Sequence, residues 1–72
     1  MTFELNNVEK IEVITSRLRN LAYNKYNLEL SLLELSALSN DSDAGSLSVT
    51  KQIEDVNSQM TILENEILVL QP

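Results

Sequence analysis

The sequence predicts an all-α fold: an antiparallel helical hairpin (coiled coil) that assembles into a dimeric or trimeric helical bundle. Three observations carry this. The 72 residues contain one Gly and one Pro, too few for a turn-rich β fold. Apolar residues recur at alternating intervals of three and four along two long segments, the spacing of a coiled-coil seam. Between the segments lies a single cluster of turn formers, Asn40-Asp41-Ser42-Asp43-Ala44-Gly45-Ser46. The expected organisation is one domain over residues 1–72, with a helix at about 6–39, a loop at 40–47 and a helix at about 48–70.

The first helix is expected to start at Asn6. Its side chain can cap the helix, and Glu9 stands three positions later, the spacing of a capping box. The upstream Thr2-Phe3-Glu4-Leu5 could either extend the helix or fold back as a hook. From there to Ser39 the chain has no Gly or Pro, and Ile11, Ile14, Leu18, Leu21, Lys25, Leu28, Leu32 and Leu35 follow 3-4 spacing. Lys25 is the one polar interruption. It can lay its methylenes along the core and carry its charge outward toward Glu64 or Glu66, or it can select register and oligomeric state.

Ser46 or Ser48 can cap the second helix, where Val49, Ile53, Val56, Met60, Leu63, Ile67 and Leu70 form the matching seam. In an antiparallel hairpin, facing residue numbers have a constant sum. Leu18 with Leu70, Leu21 with Ile67, Lys25 with Leu63, Leu28 with Met60, Leu32 with Val56 and Leu35 with Ile53 all sum to 88. That register makes these side chains the intrachain core. It leaves Val8, Ile11 and Ile14 projecting beyond the last layer as an overhang with no cover from their own chain.

A second apolar stripe, Tyr23, Tyr26, Leu30, Leu33 and Ala37, lies on the opposite side of the first helix. Ile62 and Val69 lie off the seam of the second. Large unpartnered apolar patches mark interfaces. Val8, Ile11, Ile14, Tyr23, Tyr26, Leu30, Leu33, Ile62 and Val69 are therefore the expected oligomer or partner interface. Of these, the tyrosine face is expected to build the oligomer and the overhang to engage a protein partner. A chain this short lacks the surface-to-volume ratio for a robust core, and with no Cys and no His it has neither disulfide nor structural zinc to compensate.

The same inventory argues against catalysis. No His or Cys is present to act as a base near neutral pH, a thiolate nucleophile or a soft metal ligand. One Gly cannot build a phosphate loop. Glu64/Glu66 and Glu54/Asp55 are one or two residues apart and do not face each other on a helix. Counted as a calcium loop from Asp41, the sixth position is Ser46 instead of Gly and the twelfth is Gln52 instead of Glu. No enzyme activity, catalytic residue, cofactor or metal is expected. Eleven acidic against five basic residues, a net charge of −6, repel nucleic acid and anionic membranes. Met1–Asn7 has no basic start, and the longest apolar run, Ile67-Leu68-Val69-Leu70, is too short for a signal h-region or a span. A cytoplasmic, non-secreted, non-membrane protein is expected.

The stretch Leu21-Ala22-Tyr23-Asn24-Lys25-Tyr26-Asn27-Leu28-Glu29-Leu30-Ser31-Leu32-Leu33-Glu34 resembles one found in small proteins of tailed bacteriophages. In size, acidity and helical content the chain is also similar to the small chaperones or cofactors of trimeric phage tail-fibre assembly. That resemblance implies a small oligomer docking on a partner that is itself a trimer, in the host cytoplasm or the virion. From the residues alone, a non-enzymatic coiled-coil interaction or assembly protein is expected. The alternative is a small regulatory protein that binds a helix groove of a host or viral factor.

Overall fold

The computed structural model describes residues 3–38 and 44–72. It contains two helices, α1 (Asn7–Leu38) and α2 (Ala44–Leu70), and no strand among the described residues. They pack side by side as an antiparallel hairpin with extents of 57 × 21 × 15 Å.

The start of α1 is the predicted capping box. The Asn6 amide N–H donates to Glu9 Oε1 at 3.0 Å, and the Glu9 N–H donates to Asn6 Oδ1 at 2.8 Å. Two of the helix's orphan donors are thereby satisfied reciprocally. Residues 3–6 are not helical, and Leu5 folds back to line a groove with Lys10, Ile14 and Leu70. Of the two possibilities for the upstream segment, Leu5 therefore takes the hook. Within the helices, Thr15, Ser31, Thr50 and Thr61 donate their hydroxyls to the carbonyls of Ile11, Asn27, Ser46 and Asn57. Each hydroxyl is thus satisfied by its own helix, four residues back.

The two predicted seams are the two buried stripes. Ile14 and Val56 are each 9% exposed, and the remaining seam residues of both helices are half-buried. Lys25 is also half-buried, and among the described residues no ion pair joins it to Glu64 or Glu66.

The second helix starts earlier than the sequence indicated. It begins at Ala44, so Gly45, Ser46 and Leu47, read as loop, are helical, and Ser46 and Ser48 lie inside α2 instead of capping it. Gly45 has no positive φ. At the first turn of a helix a Gly interrupts little, because its N–H needs no intrahelical partner there. Residues 39–43, which include most of the turn cluster, lie outside the described residues.

This earlier start changes the register. The helix ends facing the connection, Leu38 and Ala44, sum to 82. Arg17 with Glu66, Asn24 with Gln59 and Ser31 with Gln52 line common grooves between the helices, and each pair sums to 83. These are flanking pairs, whose sum stands two above that of the core pairs they border, so the core sum of 88 is corrected to 81, a full heptad lower, a shift that keeps both seams facing each other. The overhang disappears with it. Leu70 reaches the level of Ile11 instead of Leu18, Ile14 is buried, and Ile11 is half-buried. Only Val8 of the expected overhang is exposed.

The hairpin remains under-buried. A compact monomer of this mass exposes about 4,500 Å², whereas this chain exposes 5786 Å².

Candidate interaction surfaces

With the seam positions as heptad a and d, the remaining positions sort into distinct faces. Tyr23, Leu30 and Ala37 fall at f, and Tyr26 and Leu33 at b, on the side of α1 turned away from α2. Tyr23 and Leu33 are each 67% exposed, Tyr26 61% and Leu30 38%. Together they form a ridge with its two tyrosines toward the start of α1 and its two leucines toward the end. A tyrosine presents an apolar body and a polar tip, the combination enriched at protein interfaces. The residues on either side of this ridge, Asn20, Asn27 and Glu34 on one flank and Ala22, Glu29 and Ser36 on the other, are all exposed.

The second surface is a groove along one flank of the hairpin. Three consecutive recesses occupy this side. The first, at the open end, is lined by residues including Leu5, Val13, Arg17, Glu66 and Leu70. The second is lined by Asn20, Leu21, Asn24, Gln59, Ile62 and Leu63, and the third by Asn27, Leu28, Ser31, Gln52, Asp55 and Val56. The floor is made of d residues from both helices: Ile14, Leu21 and Leu28 with Val56, Leu63 and Leu70. The walls are g residues: Lys10, Arg17, Asn24 and Ser31 on α1, and Gln52, Gln59 and Glu66 on α2. On α1 the short Asn24 and Ser31 stand where a coiled coil usually carries long Glu or Lys side chains, and they leave that part of the seam partly uncovered.

The expected interface residues therefore divide. Tyr23, Tyr26, Leu30 and Leu33 form the ridge. Ile62, also 67% exposed, stands on the groove. Val69 is exposed at the open end, beside the groove's first recess, and Val8 is exposed at the start of α1. Ile14 belongs to the core, and Ile11 is half-buried on the seam. Two further exposed leucines, Leu47 and Leu68, share the outer b positions of α2. The groove was not anticipated from the sequence, although its signal is present: Asn24, Ser31, Gln52 and Gln59 all fall at g.

No group of three or more Asp or Glu that could hold a metal occurs among the described residues, and no described helix is long and apolar enough to cross a membrane. The Lys51–Asp55 ion pair, 3.9 Å and solvent-exposed, is a local i,i+4 contact of α2. No protein-family model, curated protein or solved structure matches the chain.

Proposed function

We propose that this chain is a non-enzymatic coiled-coil assembly protein that works by presenting helical surfaces to other protein chains. The observation that carries this reading is the ridge of Tyr23, Tyr26, Leu30 and Leu33. Four large side chains in coiled-coil spacing stand in water on the outside of α1, while among the described residues only Ile14 and Val56 are buried within the chain, each still 9% exposed. A sequence that places its second apolar stripe away from its own core has specified an interface.

In this reading, self-association into a dimer or trimer covers apolar surface that the hairpin cannot bury. A larger protein partner is engaged through the surface that remains, including the groove with Ile62 and the open end with Val8 and Val69. The role is that of an assembly factor or accessory of a larger structural protein, in keeping with the resemblance to the small chaperones of phage tail fibres. Sedimentation equilibrium of the isolated chain tests it. A dimer or trimer is the expected result, and a folded monomer at several hundred micromolar would remove the self-associating part of the reading.

The alternative, a regulator that enters a partner's helix groove, receives its support from the same ridge. It differs in one measurable property. Such a chain would be a monomer alone and would gain helix on binding.

A further inference from the structure

We infer that the ridge of α1 is covered by the same ridge of a second copy, running antiparallel about a two-fold axis near the level of Leu28. The inference rests on the self-associating reading above and specifies its face, direction and register.

The register follows from the constant-sum rule applied to the ridge. Tyr23 with Leu33 and Tyr26 with Leu30 both sum to 56, so one antiparallel alignment sets each tyrosine of one copy against a leucine of the other. Every large ridge residue is then covered, by a relation that is its own reciprocal, as a two-fold interface requires. The same alignment extends to Arg19 with Ala37, where the long side chain meets the smallest residue of the ridge.

The flanks agree with that alignment. In an antiparallel coiled coil, like flanks face each other. On one flank Asn27 meets Asn27 of the second copy, and Asn20 meets Glu34 of the second copy. An amide both donates and accepts, so it can pair with its own copy, and Asn20 can donate to the carboxylate. On the other flank Ala22 meets Ser36, both small. Glu29 meets Glu29 of the second copy, the one unfavourable contact. A parallel pair would fare worse: its opposing flanks would set Glu29 of each copy against Glu34 of the other, twice.

The area is sufficient. At their exposures the four ridge side chains offer on the order of 500 Å² per chain. Complete cover of these four residues on both chains removes about 1,000 Å², the lower bound for a specific interface, and the flank residues add to it. The dimer covers Asn20 and Asn27 at the α1 rim of the groove and leaves its α2 wall, with Gln52, Gln59, Ile62 and Glu66, uncovered.

The test uses the full chain, which contains no Cys, so each introduced thiol is unique. Chains carrying Tyr23→Cys and chains carrying Leu33→Cys are treated with a short bismaleimide, separately and as an equimolar mixture. The inference predicts a covalent dimer from the mixture and none from either variant alone. Independently, Glu29→Gln removes the one like-charge contact. By sedimentation equilibrium it is expected to tighten the dimer about three- to tenfold while helicity by circular dichroism stays unchanged. Glu29, at the exposed e position, and Leu33, on the outer face, are both outside the a and d seam, so the hairpin itself is retained.

Coupling of Leu33→Cys with itself would establish a parallel dimer and overturn the inference. So would an oligomer that couples through Gln59→Cys on the groove and ignores Glu29→Gln. Both results leave self-association standing. A chain that remains monomeric overturns the inference and the self-associating reading together.

Discussion

Asn7, the first residue of α1, donates from its side-chain amide to the backbone carbonyl of Leu70, the last residue of α2, at 3.1 Å. The bond ties the open end of the hairpin across 63 positions of sequence. It satisfies one of the carbonyls that a helix C-terminus leaves without an intrahelical partner. It also fixes how far α2 reaches, which is to the first turns of α1 instead of to Leu18, a third of the way along it. Replacing Asn7 by Ala is expected to cost about 1 kcal/mol and to speed amide hydrogen exchange in the last turn of α2. Unchanged exchange at Ile67–Leu70 would show that the bond does not hold the end closed.

The register predicts which positions can be bridged within one chain. Asn24 and Gln59 line the same two recesses. Thiols introduced at both are expected to be joined by a short bifunctional reagent in the monomer. Thiols at Leu28 and Met60, which the sum of 88 would have placed face to face, are expected to couple poorly, being offset by about a heptad, or ~10 Å along the axis.

The capping box predicts a local loss with a known size. Asn6→Ala removes the acceptor for the Glu9 N–H and is expected to lower stability by about 1 kcal/mol in thermal or urea unfolding. Asn6→Ser, which restores an acceptor, is expected to recover most of it.

Gly45 lies in the first turn of α2 at negative φ and is exposed. Nothing in its conformation requires the absence of a Cβ. Gly45→Ala is therefore expected to stabilise the chain by about 0.5–1 kcal/mol, chiefly by restricting the unfolded state. The melting temperature should rise by several degrees. A fall would place Gly45 in a conformation that only glycine tolerates.

Core and ridge truncations are expected to separate cleanly. Val56→Ala truncates one of the two most buried side chains of the hairpin and is expected to cost about 2–3 kcal/mol, enough to unfold much of a chain this small. Leu33→Ala is exposed in the hairpin and should leave its helicity nearly unchanged while weakening association.

The sequence and the fold agree where a local rule decides. Asn6 and Glu9 are three residues apart, and the capping box they form needs no knowledge of the rest of the chain. The seam is equally local, since 3-4 spacing alone puts Leu18, Leu21 and Leu28 on one stripe. The register is not local. A heptad pattern looks the same after a shift of seven, so the sums 81 and 88 satisfy both seams, and only the length of the connection chooses between them. With Gly45 and Ser46 as turn residues the connection is longer and Ile14 lacks cover; with both in α2 it is shorter and Ile14 is buried. The groove was hidden for another reason: it arises where the short Asn24 and Ser31 of α1 meet Gln59 and Gln52 of α2, and these pairs exist only once the register is known.

Sedimentation equilibrium of the unmodified chain at physiological salt, from ten to several hundred micromolar, tests the central claim most directly. Self-association through the exposed ridge predicts a mass that rises from that of the 8.1 kDa chain to twice that value, with helicity retained throughout. A folded species that stays at 8.1 kDa over the whole range would contradict it.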